Sequence, residues 1–195
     1  MVSPYRDGQI PLAFLGRSRL IGPPQQQGLT LTEILVVVFL VGVLAAIAAP
    51  SYLAWATKQR VEDALVVTVG ALKEAQAEAI RKSQGCEVQI TPATQTIRAT
   101  TFPAASPAVN CLPTGNRVLS SSAADLQLTT SFTPEAPLRF TYRGTTPRQG
   151  ILVLAHPGTP RQRCVVVSAG IGIIRTGYYR GDPASPSLAN CHRDP

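Results

Sequence analysis

Gly28-Leu29-Thr30-Leu31-Thr32-Glu33 opens a stretch that then runs without a charge from Ile34 to Ala49 and stops at Pro50. One carboxylate stands at the start of an otherwise apolar span. A charge inside a membrane-length helix is costly, so a lone one points to a function with a partner. As a helix, Leu29 to Ala49 would measure roughly 32 Å, enough to cross a bilayer core. Three ordinary readings compete. An uncut transmembrane anchor explains the length but not Glu33. A secretory signal would have its small-residue cleavage site at Ala46-Ile47-Ala48. Against it, a glutamate would open the apolar region and the leader would be unusually long. A buried core helix with no polar face over this length exceeds what a small domain normally buries.

The arrangement of Gly28, Leu29, Glu33 and Pro50 resembles the class III signal of type IV prepilins and pseudopilins. The resemblance implies that a membrane prepilin peptidase cuts between Gly28 and Leu29 and that the new amine of Leu29 is methylated. It implies further that Glu33 pairs with the N-terminal amine of a neighbouring subunit during assembly. Leu29 stands where the family usually has Phe. The leader, Met1 to Gly28, is longer than in many prepilins. It carries Arg6, Arg17 and Arg19, against Lys58 and Arg60 beyond the apolar run. That is a faint positive-inside bias. The family places the leader in the cytoplasm and the rest of the chain outside the inner membrane, as a single-pass protein and then in a pilus or pseudopilus.

Beyond Pro50 the pattern stays helical to about Lys82. Val61, Leu65, Val69, Leu72 and Ala79 recur at three- to four-residue steps, which gives one apolar face. Glu78 and Lys82 are spaced to pair. Ser83-Gln84-Gly85 predicts the stop, with glycine as the cap. Pro50 should kink this helix of about 54 residues by removing a backbone donor. Tyr52 and Trp55 fit interfacial anchors or contacts between subunits equally well. After Gly85 the signals become those of strands: Val88 to Ile90, Thr96 to Phe102, Leu126 to Phe132, Leu138 to Tyr142, Ile151 to Ala155, Cys164 to Val167, and Gly172 to Tyr179. Residues 103–116 read as a loop, and turns fall at 144–150 and 157–161. Residues 181–195 form a polar tail. The expected fold is α+β, a long N-terminal helix packed on an antiparallel sheet head. The expected divisions are a leader at 1–28, an assembly helix at 29–50, its amphipathic continuation at 51–85, and a head at 86–195.

The order of Leu138 to Gly144, Arg163 to Ser168 and Gly170 to Arg175 is similar to the GspH/FimT group of minor pilins and pseudopilins. In some FimT-like proteins a G-R-x-R motif near the last strand contacts DNA in natural transformation. The matching stretch here is Gly172-Ile173-Ile174-Arg175, so only Arg175 carries over.

The chain has 195 residues and a formal net charge of +7. The leader contributes about +2 and residues 29–85 balance, so the mature excess falls in residues 86–195, where every basic residue is arginine. Such a surface attracts polyanions, although a soluble face also keeps its charge away from zero. A DNA receptor would draw on Arg139, Arg143, Arg161, Arg163, Arg175 and Arg180. Cys86, Cys111, Cys164 and Cys191 all follow the apolar span, as in an oxidising compartment. Their three possible connectivities include Cys86–Cys111 with Cys164–Cys191, favoured because each closes a segment rich in Pro, Ser and Asn. Metal binding and reduced thiols are the alternatives, but no C-x-x-C pair occurs, and His156 and His192 are isolated. No nucleophile elbow, phosphate-binding loop or dinucleotide fingerprint occurs. No cofactor is expected. Three roles follow: a structural filament subunit that partners other pilin-like subunits, a DNA-binding minor pilin, or a simple membrane-anchored domain.

Overall fold

A computed structural model describes residues 28–103, 109–120 and 126–193, without the side chains of 48–50. Met1 to Gln27 of the expected leader lie outside the described residues. So do the side chains at the kink expected from Pro50. The chain divides into two units, one ending at Val43 and one beginning at Leu44.

Helix α1 runs Leu31–Arg81. In the first unit, Thr30 starts it. The Glu33 N–H donates to Thr30 Oγ1 at 3.2 Å, and the Ile34 N–H to the Thr30 carbonyl at 3.2 Å. A threonine oxygen here satisfies a donor that the first turn leaves without a partner. Every large apolar side chain from Leu29 to Ile47 is exposed.

In the second unit α1 acquires a buried face. Val61, Ala64, Leu65, Thr68, Ala71, Leu72, Ala75 and Ala79 are buried. The small residues on this face let strands approach closely, and Thr68 answers its own polarity by donating to the Ala64 carbonyl at 2.7 Å. The helix ends differently from expectation. Ser83, not Gly85, takes the left-handed conformation, with φ of 51°. The Gln84 N–H reaches the Ala79 carbonyl and the Ser83 N–H reaches the Ile80 carbonyl, the paired bonds of a Schellman close. Gly85 instead opens the first strand. A Cβ there would lie 2.7 Å from the Phe102 carbonyl oxygen, so glycine serves the strand approach.

Two antiparallel sheets follow. The first contains β1 (Gly85–Thr91), β2 (Thr96–Phe102), β3 (Arg117–Val118) and β5 (Leu138–Phe140), in the order β3-β2-β1-β5. The second contains β4 (Gln127–Thr130), β6 (Gly150–His156), β7 (Thr159–Val167), β8 (Ile174–Tyr179) and β9 (Cys191–Arg193), in the order β4-β6-β7-β8-β9. Both sheets pack on the buried face of α1 in one core that includes Leu72, Val88, Ile97, Phe140, Leu152 and Val165. All of β6 is buried. Leu152 and Leu154 face α1, while Ile151 and Val153 face a smaller layer with Cys164 and Tyr179. Burial on both faces explains the uninterrupted apolar run.

Most strands lie where the pattern places them. The turn expected at 157–161 is shorter, because Thr159 already pairs with His156. Strands β3 and β9 have no apolar signal, being Arg-Val and Cys-His-Arg. Two disulfides, Cys86–Cys111 and Cys164–Cys191, tie the head. The second fastens β9 to β7 beneath β8. The Tyr179 hydroxyl gathers the tail, accepting from the Ser187 N–H at 3.0 Å and facing the Ser185 carbonyl at 3.2 Å.

Candidate assembly site

The first element is the start of α1. Glu33 lies three residues after the capping Thr30, so Thr30-Leu31-Thr32-Glu33 also has the spacing of a capping box. Its position in the first turn, next to the positive end of the helix dipole, favours a carboxylate. The T-x-x-E spacing is legible in the sequence, and the bond the structure adds is that of the Glu33 N–H to Thr30 Oγ1. The second element is the apolar surface from Leu29 to Ile47. Of the described helix, no single stretch is both long and apolar enough to cross a membrane. Leu31–Ile47 and Ser51–Arg81 together pass that test on length and composition.

Charged pairs lie along the second part of α1 and between it and the head. Glu78 receives Arg81 at 2.6 Å and Lys82 at 2.9 Å. Hydrogen bonds from Arg81 first, and Lys82 second, lower its carboxyl to about 2. Glu74 anchors the loop before β3. Burial raises its pKa, but hydrogen bonds from Thr114 and the charge of Arg117 together outweigh that and lower it. Arg117 lies 3.0 Å from Glu74. Gln76 is another helix residue that reaches out. Its Nε2 donates to the carbonyls of Gly144 at 2.7 Å and Gly172 at 3.0 Å, so one side chain clasps two loops. Nothing in the apolar spacing of α1 singles out Gln76.

The arginines weighed for DNA binding do not form one surface. Arg163 is buried, lies 3.3 Å from Glu62 of α1 and stacks on Tyr178. Its charge is met by these partners inside the head. Arg139 pairs with Glu87 at 2.8 Å across β1 and β5 and stacks on Phe102. The alternation of β7 and β8 puts Arg161 on the α1 side of the second sheet and Arg175 on the other side. Arg143 belongs to the turn after β5, and Arg180 follows β8. Among the described residues, no cluster of His, Cys, Asp and Glu could hold a metal.

A long capped helix, apolar and uncovered in its first part and embedded in antiparallel sheets in its second, defines a pilin-like class of subunit. The family model of the type II transport protein GspH matches residues 68–170, more than half of the chain, and the chain belongs to that family. The prokaryotic N-terminal methylation motif matches residues 23–49. Two solved structures are similar. The minor pseudopilin EpsH from the type 2 secretion system of Vibrio cholerae is 20% identical, with a TM-score of 0.47 over 60% of this chain and 97% of that one. The type IV minor pilin FimU of Pseudomonas aeruginosa is 17% identical, with a TM-score of 0.47 over 60% of this chain and 88% of that one. No curated protein sequence matches this chain. The chain thus combines a GspH-family head with an N-terminal methylation motif, the make-up of a pilin-like subunit.

Proposed function

We propose that this subunit is cut between Gly28 and Leu29 by a prepilin peptidase, methylated on Leu29, and held in the inner membrane by residues 29–50 with its head outside. From there it enters a pilus or pseudopilus. Glu33 pairs with the N-terminal amine of a neighbouring subunit and sets the register, while Pro50 marks the change from assembly helix to head. The observation that carries this reading is the exposure of every large apolar side chain from Leu29 to Ile47 beside a single carboxylate. Water penalises that surface, whereas lipid or packed helices of other subunits would cover it. In such surroundings an unpaired carboxylate is strongly disfavoured.

The capping-box spacing of Thr30 and Glu33 supplies the test. Glutamine serves a capping box as well as glutamate does, but carries no charge. Glu33→Gln and Glu33→Ala should both insert in the membrane and both fail to co-purify with the assembled filament. If Glu33→Gln assembles normally and only Glu33→Ala fails, Glu33 is a helix cap and the pairing reading is wrong. Mass spectrometry of the membrane-extracted wild-type chain should find Leu29 first, with an added methyl group.

A further inference from the structure

The C-terminal end of the buried helix face carries a built surface with no internal use. The Gln76 clasp joins the loops at 141–149 and 168–173. Thr146 and Gly170 exchange two backbone hydrogen bonds, at 3.1 and 2.8 Å. Gly144 fits directly on the helix, since a Cβ there would lie 2.8 Å from Ile80 Cδ1. On this tied base Ile171 stands between two left-handed glycines, Gly170 at φ 81° and Gly172 at φ 66°, and is 69% exposed. Ile80, Tyr142 and Ile173 are exposed around the same clasp. Large apolar side chains held out by a rigid base lose little freedom on docking, which suits them as anchors.

The charge around them has one sign. The loops at 141–149 and 168–173 contain Arg143 and Arg148 and no acid. Arg143 stacks on Tyr142. Glu78 on the adjoining helix is already taken by Arg81 and Lys82. We propose that this surface docks the head of a different pilin-like subunit, which offers an apolar hollow rimmed by carboxylates. A second copy of this chain is a poor occupant. Its head is net basic, and among the described head residues Glu87 is paired with Arg139 while Glu135 and Asp182 stand apart in sequence on separate loops. Like charges facing each other would oppose such a contact.

The inference rests on the filament reading above, and its test separates the two. The full chain, with the photocrosslinker p-benzoylphenylalanine in place of Ile171, is produced in cells that make its assembly system. Its N-terminus is sequenced, and the crosslinked peptides are identified by mass spectrometry. The expected adduct joins the head of another pilin-like chain through an acidic peptide. Its yield should fall about tenfold or more when Arg143→Glu and Arg148→Glu are added. Intact disulfides and a processed N-terminus would show that this variant is folded. An adduct to a second copy, an adduct insensitive to the charge reversal, or no adduct from a processed chain would each overturn the inference and leave the filament reading standing. An unprocessed N-terminus would bring down both.

Discussion

Gln76 is the most informative single substitution in the head. Its Nε2 is the donor to two loop carbonyls, Gly144 at 2.7 Å and Gly172 at 3.0 Å, in a partly buried setting. A net hydrogen bond contributes about 1 kcal/mol, so Gln76→Ala should cost ~2 kcal/mol. Water reaching the freed carbonyls would hold the loss near that figure. For a chain of this size the shift in midpoint would be about 4–8 °C. Gln76→Glu is the sharper probe. At neutral pH its carboxylate would face two carbonyl oxygens with no proton to offer, and it should cost ~3 kcal/mol or more. Those oxygens favour the protonated acid and raise its pKa in the folded state. The variant's relative stability is therefore fully present below the unfolded value of about 4.3 and is lost as pH rises through the higher folded value. Urea titration of the full chain in detergent, followed by far-ultraviolet circular dichroism at several pH values, reads this directly. If Gln76→Glu shows the same deficit as Gln76→Ala at pH 4 and at pH 7, the clasp is not made as described.

Two further measurements check other links. Because hydrogen bonds from Arg81 and Lys82 lower Glu78 to about 2, its contribution is present above the ordinary carboxylate range and is lost as pH falls towards about 2. The Glu78→Gln variant should accordingly show a shallower acid limb in its stability profile than the wild type, and identical limbs would refute the assignment. Breaking the Cys164–Cys191 bridge with Cys191→Ser should cost roughly 3 kcal/mol by the chain-entropy account and release β9. Hydrogen exchange should then find the amides of residues 191–193 unprotected while β6 and β7 stay slow. Retained protection there would mean that the β8 ladder holds β9 without the disulfide.

The sequence by itself determined the long helix, the apolar and amphipathic parts of it, most of the strands and the N-terminal methylation motif. Each of these is written in local order: charge-free length, a 3.6-residue period, alternation, and a glycine five residues before an acid. The pairing of cysteines was also favoured from the composition of the segments they close, though spacing alone left three connectivities. Tertiary structure decided what local order does not encode. Strands β3 and β9 are too short and polar to announce themselves, and they exist because a neighbouring ladder or a disulfide supplies their partner. The helix closes at Ser83 in the left-handed conformation, while Gly85 lies where the Phe102 carbonyl comes close. Arg163 reads as one cation among many, yet folding places it against Glu62, more than 90 residues away in sequence, and removes it from the surface. Gln76 becomes a clasp only once two distant loops bring their carbonyls to one side chain. A periodic pattern shows which face of an element is buried; which groups meet across that face depends on contacts between residues far apart in the chain.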